Sequence, residues 1–285
     1  MFKGVNKIAV AAALSVGLLS ACSSRPENTQ AEGLYSDIEQ AMEDGQYEKA
    51  IILMDSMDMA YPEMTELRGR LLKMRPSAME GWTLAEIQKA DCDMAHAQML
   101  VDSLSKMFEK ISDPKLVEAY YVHKKGKVPD IMSATAVEPR LDEQFGFYIV
   151  SSLQGKNIGL NSIGLSVNGH EAYSGIIPYG DDRSFSGSNG QKAVFSGKDV
   201  EEIGILAANN PESGKLVFRG NKGSHTIALP QRQVVAIGDA YKYSEARKSL
   251  VSAQILREKL ERKLQIARNQ MANIVSSEDG GRNHD

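Results

Sequence analysis

The chain has 285 residues, of which 42% are hydrophobic and 25% charged, and its formal net charge is −4. That make-up suits a folded protein with two modest cores, and the mild acidity leaves no electrostatic footprint for nucleic acid. With only two cysteines, Cys22 and Cys92, a disulfide framework is excluded.

At the start, Lys3 and Lys7 flank a short apolar run, Ile8 to Leu19, that is too short to cross a bilayer and has the layout of a targeting segment. It ends in Leu19-Ser20-Ala21-Cys22. These four residues resemble the lipobox of bacterial lipoproteins, in which the cysteine is acylated and signal peptidase II cleaves just before it. The resemblance implies a signal peptide over 1–21 and a mature chain that begins at a palmitate-bearing Cys22 and meets the membrane through that lipid. Ser23, where an Asp would retain the protein, resembles the pattern of lipoproteins sent to the outer membrane. Ser24, Arg25 and Pro26 lack the acidic cluster of surface-export signals in Bacteroidetes lipoproteins, which points to a periplasm-facing position. Cleavage removes two positive charges, Lys3 and Lys7, and takes the net charge from −4 to −6. Only Cys92 then stays free, so stability must come from packing.

Residues 22–32 are polar and aperiodic and predict a flexible tether. Over 33–76 the spacing predicts short helices. Leu34, Ile38 and Ala41 mark the first, which Asp44-Gly45 stops; Tyr47, Ala50, Met54 and Met57 mark the second, closed by Pro62. Gly45-x-Tyr47-x-x-Ala50, with Met57 and Pro62 after it, resembles the second half of a tetratricopeptide repeat, and implies a helical hairpin that leans on a third helix. In that third helix Met64, Leu67, Leu71 and Met74 alternate threes and fours before Pro76.

Residues 77–112 carry a longer seam: Ile87, Ala90, Met94, Ala97, Val101, Leu104, Phe108 and Ile111. Ala246, Leu250, Ala253, Leu260, Leu264, Ala267, Met271 and Ile274 repeat it within 230–276, with Arg257 as the polar interruption and a bend expected near Tyr243-Ser244. Such seams join two helices, and alanines at alternate positions let the backbones approach closely. The pair predicts an antiparallel coiled-coil stalk. Asp91-Cys92-Asp93 and His96 lie off the seam; Cys92 and His96 share a helix face, but no second ligand pair accompanies them and they read as a solvated face.

Residues 113–229 have the glycines, turns and short apolar runs of β structure. Strands are expected at 117–122, 145–153, 163–167, 172–177, 193–195, 215–219 and 224–229, with tight turns at Asn168-Gly169 and Gly220 to Gly223. Val200, Ile203 and Leu206 predict one helix behind an N-capping Asp199. Residues 277–285 read as a disordered tail.

The fold class is therefore α+β: N-terminal helical hairpins, a stalk of two long helices and a β-rich head inserted between them. One stretch in the head is a candidate ligand loop. Tyr179, Asp181, Asp182, Arg183 and Phe185 lie in a glycine-containing turn where carboxylates could hold calcium, or where Arg183 and the aromatics could meet a sugar or peptide; the same residues are also what solvated turns are made of. His170-Glu171 at the Asn168-Gly169 turn is an exposed histidine. No Gly-x-Ser-x-Gly, His-Glu-x-x-His or phosphate-cradling glycine pattern occurs, and the scattered serines, carboxylates and histidines form no catalytic motif. The sequence calls for no metal or cofactor. It points to a non-enzymatic, lipid-anchored periplasmic envelope protein with a structural or protein-interaction role, with recognition of a glycan or peptide by the head as the alternative.

Overall fold

The computed structural model describes residues 26–112 and 118–281. Cys22, the targeting segment and the beginning of the first expected strand lie outside the described residues. The chain is a mixed α+β protein, with five helices and two antiparallel sheets among the described residues. It divides into two compact units, one running to Trp82 and resuming at Ile266, the other Thr83–Gln265.

In the first unit α1 (Pro26–Glu43) and α2 (Tyr47–Ala60) form a hairpin. The tether expected through residue 32 is helical from Pro26. Proline at the first helical position loses no hydrogen bond, and fully buried Ala31 extends the face made by Ile38 and Ala41. Ala50, Met54 and Met57 of α2 close the same core, where Leu71 and Ala78 of α3 (Thr65–Ser105) join them. Pro76 has the place of a stop in the sequence, yet α3 continues through it. Leu71 and Ala78 pack on either side of the proline, while Arg75 bonds Asp55 at 2.6 Å and Asp58 at 2.8 Å; that anchorage outweighs the one backbone bond a proline removes. Arg268, in the last part of α5 (Gln231–Gly281), bonds Glu80 at 2.7 Å.

The second unit opens on the remainder of α3, whose Ala90, Ala97, Val101 and Leu104 are buried as their spacing predicts. The helix ends at Ser105, and Phe108 and Ile111, expected on its seam, instead belong to strand β1 (Phe108–Ile111). The β-rich region thus begins before residue 113. β2 (Tyr120–His123), β3 (Ala136–Leu141), β4 (Phe147–Gln154), β7 (Ser184–Ser186) and β8 (Gly190–Ser196) complete a sheet in the order β1-β2-β3-β4-β8-β7. β5 (Leu160–Val167), β6 (His170–Tyr173), β9 (Gly214–Gly220) and β10 (Gly223–Leu229) form the second, in the order β10-β9-β5-β6. Inward residues such as Ile149, Leu153, Phe195, Ile163, Leu165 and Phe218 share one core with Val200 and Ile203 of α4 (Lys198–Asn209) and Val234 and Ile237 of α5.

Three strands were not foreseen. β3 carries Glu138, Pro139 and Arg140, which look like a loop. Glu138 is nevertheless buried, accepting from Arg140 and from the Val128 amide at 2.6 Å each, and Pro139 lies beyond the short β2 ladder, which engages only Arg140 and Leu141. β1 and β7 are too short to show a pattern. α4 starts one residue before the expected cap, and its N-cap is Gly197. α5 runs unbroken through Tyr243-Ser244, so the short break that the spacing allows there is absent. Gly238 serves close approach instead, since a Cβ there would come within 2.9 Å of the Ala207 backbone. α5 also extends past residue 276 to Gly281, where a disordered tail was read.

Candidate functional site

The candidate loop connects β6 to β7, and the structure separates its residues into two groups. Arg183 is clamped. It donates through Nε to Asp181 at 3.0 Å and through its terminal nitrogens to Asp181 at 2.8 Å and Asp199 at 2.7 Å, while its own amide donates to Asp181 at 2.9 Å. Those bonds from the Arg183 side chain, then from its backbone, hold the Asp181 carboxyl down at about 2. The two carboxylates in turn raise the Arg183 guanidinium further above its usual range, Asp181 contributing first. Asp199, expected to cap α4, is drawn into this clamp from the helix's first turn. A cation at Asp181 would have to displace a guanidinium, and no group of three or more His, Cys, Asp or Glu side chains is placed to hold a metal among the described residues.

Tyr179 and Phe185 are the exposed part, Tyr179 fully and Phe185 at 63%. Asp182 is exposed and enters no ion pair in the clamp. Side chains alternate along β7, so Ser184 and Ser186 face a cleft of about 430 Å³ at whose rim Tyr179 stands, while Phe185 borders a separate cleft of about 250 Å³. The five residues therefore do not converge on one site. The larger cleft is lined by Asn157, Asn161, Asn221 and Lys222, with buried Gln191 in its wall. Gln191 Oε1 accepts the Ile158, Gly159 and Leu160 amides at 2.8, 3.0 and 3.2 Å, and its Nε2 donates to Ser186 at 2.7 Å; a β8 side chain thereby fixes the entry to β5. Amides and hydroxyls beside one aromatic ring suit an uncharged polyhydroxyl or main-chain ligand. Sequence reasoning missed these asparagines because Asn157 lies in a connection, Asn161 within β5 and Asn221 in a turn, and nothing local shows that the fold brings the three together; the Gly220 to Gly223 turn was the available signal for Asn221 and Lys222.

In the smaller cleft Lys192 lies directly across from Phe185. Burial, and then the charge of Arg140, pushes its ammonium below the usual lysine range.

No histidine lines either cleft among the described residues. His170 sits on the two-residue turn where Asn168 and Gly169 take φ of 52° and 78°, as the sequence indicated. His225 stacks on Phe218 and approaches Lys156 Nζ at 2.9 Å. His123 is buried, its Nδ1 accepting the Lys125 amide at 3.2 Å and its Nε2 3.4 Å from Asp239.

A third concavity lies along α3 and α5 within the second unit and has about 820 Å³ of volume. Its floor is small, with Ala97, Ala246, Ser249 and Ala253, and its edges carry Leu100 and Leu256, 42% and 43% exposed. Met99, Val251 and Ile255 are also exposed on the same helices, outside the groove's lining. Asp91 and Arg257 are ion-paired at 2.5 Å, and the Phe108 and Tyr243 rings are 5.1 Å apart. Cys92 and His96 are exposed on α3. No helix among the described residues is long and apolar enough to cross a membrane. No protein-family model, curated protein or solved structure matches the chain.

Proposed function

We propose that this is a lipid-anchored protein of the bacterial envelope, held at the periplasmic face of the outer membrane by acylated Cys22, and that it works by binding a partner protein without catalysis. On this reading α1 and α2 are a tetratricopeptide-like hairpin, and α3 and α5 pair as an antiparallel coiled coil with the β-rich region inserted between them. The order of contacts in the second unit supports the antiparallel sense. Asp91 meets Arg257, whereas the later Phe108 meets the earlier Tyr243.

The observation that carries the binding role is the apolar groove between these helices. Its small floor admits a third backbone closely, and Leu100 and Leu256 stand on either side of it. The occupant that fits is an amphipathic helix of a partner, which supplies the large apolar side chains that the floor lacks. Recovery of the acylated full chain from intact envelopes tests this. Wild-type chain is expected to bring down a defined protein that Leu100→Lys with Leu256→Lys loses while staying in the membrane fraction; equal recovery by both chains contradicts it.

The amide-lined cleft favours a second reading, a glycan- or peptide-binding lipoprotein with Tyr179 as a stacking platform. It would show as a polymer or oligosaccharide retained by the double lysine variant and lost from Tyr179→Ala.

A further inference from the structure

We propose that the outer edge of β10 docks a second copy of this chain by strand addition. β10 pairs with β9 over all seven of its residues without a register shift, and the two-residue turn at Asn221-Lys222 places Gly220 opposite Gly223. In an antiparallel ladder the hydrogen-bonded rows alternate. Gly223, His225, Ile227 and Leu229 therefore turn their backbone groups toward β9, and Ser224, Thr226 and Ala228 turn theirs outward. Those three residues are also exposed.

Proteins normally guard such an edge with charge, proline, a bulge, shortness or a covering element. β10 has none of these devices. Its sequence, Gly-Ser-His-Thr-Ile-Ala-Leu, contains no charged residue and no proline, and β9 is the only element in extensive contact with it among the described residues. The other edges differ. β1, β6 and β7 have 4, 4 and 3 residues, and α4 packs along β6.

The strand is complementary to itself. A twofold axis through Thr226 sets Ser224 against the partner's Ala228 and Thr226 against the partner's Thr226, three rows that exchange about six N–H···O bonds. All three side chains are small or β-branched, which suits a cross-strand row. No like charges oppose, because Lys222 falls across from the partner's Pro230. The product is one continuous eight-stranded antiparallel sheet.

The test is sedimentation of the full chain over a concentration series, with wild type expected to form a reversible dimer. Thr226→Pro removes only an outward amide, and Thr226→Lys sets two ammonium groups face to face; each should weaken association about tenfold or more. Thr226→Val keeps the outward backbone intact and should leave the dimer unchanged. Melting temperature, measured at a concentration where the wild type is monomeric so that it reports the fold alone, should stay the same in Thr226→Lys. A chain that is monomeric at every concentration overturns the proposal, and so does a dimer as strong in Thr226→Pro and Thr226→Lys as in wild type. A monomer whose β10 instead binds an unrelated extended peptide overturns the second copy as the occupant.

Discussion

At Arg183 the loop's chemistry is already used up. Its guanidinium is satisfied by Asp181 and Asp199, and Asp181 in return spends both oxygens on it. The clamp has a direction in pH. Because the Asp181 carboxyl is held down at about 2 in the fold, against roughly 3.9 in an unfolded chain, its contribution is fully present above about pH 4 and is lost as the pH falls toward 2. Protection of the Ser184 amide, whose N–H donates to the Asp181 carbonyl at 3.0 Å, relative to an unstructured chain at the same pH, should therefore fall between pH 4 and 2 in the wild type. In Arg183→Met protection should be low at both values. Equal acid sensitivity in the two chains would show that the clamp does not hold the loop. The sequence displayed all of these residues but not their pairing, since an Asp two residues before an Arg looks the same whether it faces solvent or the guanidinium. Only the return of the chain at Asp199 decides it.

Among the elements, the legible ones were those whose pattern is local and long. Ala90, Ala97 and Leu104 on α3, and Ala246, Leu250 and Leu260 on α5, are buried where a three-and-four spacing puts them. The two tight hairpin turns at 168–169 and 221–222 were equally plain, because turn geometry selects Asn and Gly directly. What failed depended on distant packing. Pro76 stays inside α3 because α1 and α2 hold the residues on either side of it, β3 tolerates Glu138 because Arg140 and Val128 satisfy it, and the α3 seam ends before Phe108 because that residue finds a strand partner in β2. The apolar groove was missed for another reason: Leu100 and Leu256 fall off the seam, where the expectation was a polar coat. Burial makes the seam testable. Leu104→Asp places a carboxylate in the core at Leu104, 8% exposed, and should cost about 3–5 kcal/mol in chemical denaturation. Exposed Gln98→Ala on the same helix should stay within about 0.5 kcal/mol. Similar losses from the two would mean that the seam does not bear on stability.

The proposed binding role rests on the two long helices, α3 and α5, of this α+β fold. α3 has 41 residues and α5 has 51, well beyond the usual helix of a globular domain. Helices of that length offer contact surface, and the exposed apolar residues are concentrated on them: Met99 and Leu100 on α3, Val251, Ile255 and Leu256 on α5. On that proposal a partner helix occupies the groove that Leu100 and Leu256 border. The most direct measurement is photo-cross-linking in intact envelopes with a photoreactive side chain at position 256, beside the same group at exposed position 254. A single defined protein adduct is expected from 256 and none like it from 254. No adduct at 256, the same adducts at both positions, or an adduct at 256 made only of two copies of this chain would contradict it.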